Sequence, residues 1–195
     1  MAHSTATSPT APAPLADFAA YVEVCQRPLV AFLRGIVADG ETARDLTQDT
    51  FCAAWQLAQR AAPPFDAQPW SERDVRRWLF HVAYNRAVSA LRRRRLLHWR
   101  SLDEPAAEDT VEFARAGFED QLVEAHVMRA ALRSLSPSDT ACLLLIAVHD
   151  FTAAEVGQIV GASPPAVTKR FARAKRRLRD AYLAQTTRTE ERSLP

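Results

Sequence analysis

The stretch Thr152-Ala153-Ala154-Glu155-Val156-Gly157-Gln158-Ile159-Val160-Gly161-Ala162-Ser163-Pro164-Pro165-Ala166-Val167-Thr168-Lys169-Arg170-Phe171 decides how this chain is read. Thr152 and Glu155 have capping-box spacing, in which hydroxyl and carboxylate satisfy amides that a helix's first turn leaves unpaired. Val156, Ile159 and Val160 then give a short helix one apolar face. Gly161 suits the left-handed position that ends a helix, and Ser163-Pro164 starts a second helix predicted to run to about Ala184. Helix, three-residue turn with glycine, helix is the layout of a helix-turn-helix. The second helix carries Thr168, Lys169, Arg170 and Arg173 early, followed by Lys175, Arg176, Arg177 and Arg179. A helix fits the major groove, where its early residues reach base edges while flanking cations hold phosphates. Val167 and Phe171, four apart, are expected to face the preceding helix. The plain alternative is a helical hairpin that serves only packing.

Working outward, Ser136-Pro137-Ser138-Asp139 places a cap, a first-turn proline and an acid before an apolar helix, Thr140–His149. Residues 101–119 contain Pro105, six acids and weak periodicity, and read as a linker, wholly or partly without helix. Before them, Val75, Trp78, Leu79, Val82, Ala83, Ala87, Ala90 and Leu91 recur at helical spacing over roughly Glu72–Arg95, with Arg92 to Arg95 closing the helix. Phe80 and Tyr84 lie on another face of it, either as core for a neighbour or as an exposed stacking platform. A second helix is predicted from after Asp39-Gly40 to about Arg60, and a first from Phe18 to Ala38, interrupted near Pro28. Few stretches alternate apolar and polar residues, so the expected class is all-α. The expected architecture is two small helical domains, an N-terminal bundle and a C-terminal helix-turn-helix domain, joined by a flexible acidic linker. The boundaries are a disordered Ala/Pro/Ser/Thr-rich tail at 1–16, a domain at 17–100, the linker at 101–120, a domain at 121–185 and a tail at 186–195.

The formal net charge of +2 over 195 residues hides segregation. Arg76 to Arg100 holds eight arginines and no acid, Ser101 to Ala125 eight acids and one arginine, and Pro164 to Arg179 seven basic residues and no acid. Two basic blocks point to polyanion binding at two places, against the plainer reading of two solvated helix faces. The longest apolar run, Ala141 to Val148, is far short of the ~20 residues that span a membrane, and no secretory signal is evident, so a cytoplasmic protein without membrane insertion is expected. Cys25, Cys52 and Cys142 are scattered and odd in number, which argues against a disulfide framework and a zinc site. Cys52 and Cys142 fall on apolar helix faces and read as small buried hydrophobes. No histidine pattern suits a metal, and five glycines supply no phosphate loop. No cofactor and no catalysis are expected.

With these pieces placed, the chain resembles a bacterial RNA polymerase sigma factor of the extracytoplasmic-function (ECF) group. Three blocks carry the resemblance, in the family's order. The first is Ala43-Arg44-Asp45-Leu46-Thr47-Gln48-Asp49-Thr50-Phe51 followed by Trp55. The second is Trp78-Leu79 through Ala83-Tyr84-Asn85 to Leu91-Arg92-Arg93. The third spans Leu135 to Arg179, with Ser163–Arg170 and Arg173–Lys175 as its core.

The resemblance implies a removable specificity subunit of core RNA polymerase that recognises −35 and −10 promoter elements and initiates transcription of a specific regulon. It implies docking on the polymerase clamp through Asp45, Gln48 and Asp49. It implies reading and melting of the −10 element by the region of Trp78, Tyr84 and Asn85, with Arg86, Arg92, Arg93, Arg94 and Arg95 along phosphates. An amide such as Asn85 offers donor and acceptor to an unstacked base; its plain alternative is a local backbone bond. The −35 element falls to Thr168, Lys169, Arg170, Arg173 and Arg177. The acidic linker is expected to thread toward the RNA path of the polymerase. The chain's end near Pro195 is expected to leave no room for an added ligand-binding domain, so control is expected from a separate protein such as an anti-sigma factor. Departures are Arg44 for the usual acid, Ser89 for a common Asp, Thr140 for a frequent Arg, and Pro165-Ala166 for Gly-Thr. One rival is an autonomous helix-turn-helix regulator that does not act through polymerase; another is a helical adaptor whose basic blocks bind an acidic protein. Aromatics interleaved with arginines around Trp78 suit single-stranded bases better than a protein face.

Overall fold

The computed structural model describes residues 18–59, 71–100 and 127–193, with side chains described over 21–56, 71–96 and 127–186. The expected linker, the N-terminal tail, and the loop between the second and third helices lie outside the described residues. All regular structure among the described residues is helical, in two regions. The first holds α1 (Phe18–Val37), α2 (Gly40–Gln59) and α3 (Glu72–Arg100). The second holds α4 (residues 127–133), α5 (Pro137–Ala147), α6 (Ala153–Val160) and α7 (Pro164–Ser193).

The local signals act as their chemistry dictates. Ser136 caps α5 by accepting from the Asp139 amide, with Pro137 in the first turn. Thr152 and Glu155 form the complete capping box of α6, and Gly161 ends that helix at φ 67°. Thr47 and Thr50 sit on the buried face of α2, where each hydroxyl donates to the carbonyl one turn back, at 2.8 and 2.7 Å. Their polar atoms therefore enter the core without loss of a partner.

Four boundaries differ from the sequence expectation. α1 runs unbroken through Pro28; the carbonyl that proline cannot bond belongs to Val24, which is 73% exposed. Buried Cys25 and Leu29, on either side of Pro28, hold the helix on course. α3 does not close at Arg92–Arg95 but continues to Arg100, because arginine and leucine favour helix and these four arginines point into solvent. α5 stops at Ala147, freeing His149 to turn inward. α7 continues past Ala184 into the expected tail, to Ser193. Cys25 and Cys142 are buried, but Cys52 is exposed, contrary to its reading as a buried hydrophobe. It stands on the flank of α2, one position beyond the buried stripe of Ala43, Leu46, Thr50, Phe51 and Ala54.

The two helical regions share one core. Leu29, Phe32 and Leu33 of α1, Ala43 and Ala54 of α2, and Val75, Leu79 and Phe80 of α3 belong to the same buried cluster as Cys142 and Leu145 of α5, Val156 and Ile159 of α6, and Val167 of α7. α5 lies on α1 and α6 on α3. The α1–α5 approach is close at Gly35, where a Cβ would stand 2.6 Å from Leu144 Cδ1. A smaller cluster of Leu135, Leu143 and Ala174, with Leu132, Phe171 and Leu178 against it, stays within the C-terminal region.

Candidate nucleic-acid interface

The helix-turn-helix is built from α6 and α7. Its tight corner depends on Gly157, where a Cβ would meet the Ala162 carbonyl oxygen at 2.5 Å. Val167 is fully buried in the cluster that holds Val156 and Ile159 of α6, as its spacing predicts, whereas Phe171 packs on the smaller cluster of Leu135, Leu143 and Ala174, none of them in α6. This sets α7 with Thr168, Lys169, Lys175, Arg176 and Arg179 facing solvent.

The remaining expected −35 residues are engaged within the protein. Arg173 Nη2 donates to Asp139 Oδ1 at 2.6 Å, and Arg177 Nη1 lies 3.8 Å from the other oxygen. Asp139 is 1% exposed. Burial pushes its carboxyl up, but hydrogen bonds with Arg173 and Ser136 and the nearby arginine charges hold it below its ordinary range. Arg170 is half-buried and turned toward Cys142 and Tyr84, on whose ionisation its charge acts. Among the described residues, Lys169 and Thr168 are thus the expected −35 residues pointing outward without a partner on another helix; Thr168 Oγ1 donates back to the Pro164 carbonyl, at 3.1 Å.

On α3, Arg92 to Arg95 form an exposed cationic end. Arg86 Nη1 approaches Asp49 Oδ2 at 3.4 Å, pairing an expected DNA contact with an expected polymerase contact. Asp49 is exposed and Arg86 half-buried, and at this length the pair holds weakly. Asp45 and Gln48 are exposed on the same α2 face. Gln48 also lines a groove between α1 and α2 with Val22, Gln26, Arg44, Cys52 and Trp55, the last 47% exposed. Sequence reading missed this groove, although an exposed tryptophan at the edge of an apolar stripe was its available sign.

The other −10 candidates are partly covered. Trp78 packs at the edge of the shared core. Tyr84 is 9% exposed, which answers the open choice for Phe80 and Tyr84: in this arrangement both are core. Asn85 is exposed, and its amide bonds a side chain rather than the backbone: Nδ2 lies 3.0 Å from His81 Nε2. His81 Nδ1 lies 2.9 Å from the Ile159 carbonyl oxygen. A carbonyl only accepts, so Nδ1 carries the proton and Nε2 accepts from Asn85.

Long-range contacts that no local pattern flagged tie the two regions together. Arg73 Nε donates to Glu155 Oε1, while Nη2 donates to Oε2 at 2.7 Å and to the Asp150 carbonyl at 3.1 Å. The hydrogen bond from Arg73, first among causes, draws the Glu155 carboxyl down to about 2. His149 from the α5–α6 turn lies 4.6 Å from Phe80 and 5.9 Å from Phe32, centroid to centroid. Phe151 meets Phe80 at 5.4 Å, with the Arg76 guanidinium 5.1 Å from its ring centre. Burial, then the charge of Arg76, lowers His149 to about 4, against the opposing pull of Asp150.

Two family models match the chain in the same order as these parts: Sigma-70 region 2 over residues 21–96 and Sigma-70, region 4 over 125–178. The RNA polymerase sigma factor CarQ of Myxococcus xanthus is 32% identical over 152 residues, covering 76% of this chain and 79% of CarQ. The chain belongs to the RNA polymerase sigma factors of the ECF group. This sigma factor is also 29% identical over 187 residues to the ECF RNA polymerase sigma factor SigG of Mycobacterium tuberculosis, covering 83% of this chain. It spans about half of that relative's length, 48%. In fold it is similar to the sigma factor RpoE of Bartonella quintana, solved in complex with the anti-sigma factor NepR. The TM-score is 0.63 at 23% identity, over 85% of this sigma factor and 96% of that chain. Among the described residues no helix is long and apolar enough to cross a membrane, and no cluster of His, Cys, Asp and Glu could hold a metal.

Proposed function

We propose that this sigma factor binds core RNA polymerase in the cytoplasm, directs it to promoters with matching −35 and −10 elements, and acts by binding alone. The observation that carries this is the placement of two exposed cationic surfaces on separate helices of one chain. One is the Arg92–Arg95 end of α3 and the other the Lys169, Lys175, Arg176 and Arg179 face of α7. A single duplex reader needs only one such surface; a protein that grips a promoter at two elements needs both. Residues 17–100 form the −10 unit, with Trp78, Tyr84 and Asn85 toward the opened strand. Residues 121–185 form the −35 unit, with Thr168, Lys169, Arg170, Arg173 and Arg177 toward duplex DNA. The α2 face of Asp45, Gln48 and Asp49 docks on the polymerase, and an anti-sigma factor is the partner class that restrains it, as NepR is bound to RpoE in the Bartonella complex.

Run-off transcription from genomic promoter fragments, with purified core polymerase with and without the protein, tests the proposal. Defined start sites that vanish with Asn85→Ala and weaken with Lys169→Ala are the expected result. Absence of transcripts together with salt-sensitive duplex binding by the protein alone overturns it in favour of an autonomous regulator.

A further inference from the structure

Asp139 lies outside the helix-turn-helix, in the first turn of α5, yet its carboxylate is spent on α7. Its backbone amide is tied to the Ser136 cap at 3.2 Å. The side chain is 2% exposed and the carboxyl is held below its ordinary range, so it is a buried anion at neutral pH. Arg173 meets it edge-on: Nη2 donates to Oδ1 at 2.6 Å and Nε to Oδ2 at 3.3 Å. Arg177, one turn further on, brings Nη1 within 3.8 Å of Oδ2, an ion pair too long for a hydrogen bond. A guanidinium carries five N–H donors in one plane. Arg173 spends two of them on Asp139 and keeps the fork between Nη1 and Nη2, while Arg177 spends none there. The two side chains stay 44% and 56% exposed. Ala174, next to Arg173, is fully buried with Leu135 and Leu143, which fixes the rotation of α7 against α5.

We propose that Asp139 is a positioning residue for promoter DNA: its single carboxylate holds Arg173 and Arg177 side by side, so that their remaining donors meet backbone phosphates flanking the −35 element. The inference rests on the reading of both arginines as −35 contacts given under the proposed function. They are the tenth and fourteenth residues of α7, which starts at Pro164. Base edges fall to earlier residues such as Thr168 and Lys169, which leaves the deeper cations for phosphates. An arginine fork matches two oxygens of one phosphate. A loose arginine gives up its rotamer freedom when it binds, whereas one already held by a carboxylate has less to lose.

Asp139→Asn separates this role from plain charge. It removes an acid beside the DNA face, so on charge alone duplex binding tightens; with positioning lost, binding weakens roughly three- to tenfold. Holoenzyme assembled from core polymerase and the full chain is titrated onto a promoter fragment obtained by run-off transcription, and circular dichroism confirms that each variant is folded. The weakening should be alike on that fragment and on copies with single-base changes in the −35 element, because phosphates carry no sequence. In a chain already carrying Arg173→Ala and Arg177→Ala, Asp139→Asn should change binding by less than about twofold, whereas a residue that only holds the fold weakens it in both backgrounds. Arg173→Lys with Arg177→Lys keeps both charges and loses the forks, and should weaken binding by roughly the same three- to tenfold. Tighter binding by Asp139→Asn, equal losses in both backgrounds, or a loss confined to one −35 sequence overturns the proposal. If the parent supports no transcription, the promoter reading falls, and the protein alone is titrated onto a mixed-sequence duplex. The same pattern of variants there leaves the role of Asp139 standing, and its absence overturns that role as well.

Discussion

Lowering the pH from 7 to 5 should weaken the packing of the two helical regions through one side chain. His149 is 5% exposed, wedged against Phe32 and Phe80. Burial and Arg76 lower its pKa from 6.5 to about 4, with Asp150 pulling the other way. When the ring is released to water it recovers its ordinary value, so the released state takes up a proton at higher pH than the packed one. The stabilisation from the neutral ring is therefore complete above 6.5 and is lost as the pH falls toward 4. At pH 5 the loss amounts to about 2 kcal/mol, a large share of a typical domain's stability. Glu155 works in a separate window. Its stabilisation is present above its ordinary 4.5 and drains only as the pH falls to about 2, so it changes little between 7 and 5. Urea unfolding of the full chain and of His149→Leu at the two pH values isolates the effect. The parent should lose about 2 kcal/mol more than the leucine variant on acidification. Equal losses in the two proteins would refute the assignment of that proton to a buried His149.

Three further outcomes follow from the geometry. Gly157→Ala pushes a methyl group onto the Ala162 carbonyl, which cannot retreat without opening the turn, and should cost about 1–3 kcal/mol in thermal unfolding. Asp139→Asn leaves Arg173 and Arg177 without their shared carboxylate and should destabilise the C-terminal region by about 1–3 kcal/mol, tempered because both arginines are half in water; chemical denaturation measures it. Replacing Arg93 and Arg94 with alanine should leave stability unchanged while lowering the salt slope of single-strand binding by about 1.4, as expected for two lost phosphate contacts.

What the chain states locally, it states clearly. Thr152, Glu155 and Gly161 fix both ends of α6, and Ser136-Pro137 fixes the start of α5, because caps act within a few residues and leave a spacing to read. The same locality misleads where helices are held from outside: Pro28 reads as a break, yet the buried residues flanking it keep α1 whole. A run of four arginines reads as a stop, yet nothing in an arginine ends a helix in water. The candidate contacts on α7 were legible as charges but not as partners. Asp139 precedes Arg173 by 34 residues and Arg73 precedes Glu155 by 82, separations at which no periodicity survives. The seating of His149 among phenylalanines is likewise invisible in sequence, because it depends on α5 ending at Ala147, two residues short of the expected end.

The aromatic seat formed by Phe32, Phe80, His149 and Phe151 sets a condition on whatever separates the two regions. Pulling them apart wets three phenylalanine rings together with Leu144 and Tyr84, and wetting a large buried side chain costs about 1.5–3 kcal/mol each. Charge alone on an incoming surface cannot offset that. A protein that holds this sigma factor extended must bring leucines, methionines or aromatic rings of its own to the vacated ground, so its contact surface should be greasy at the centre and charged only at the edge.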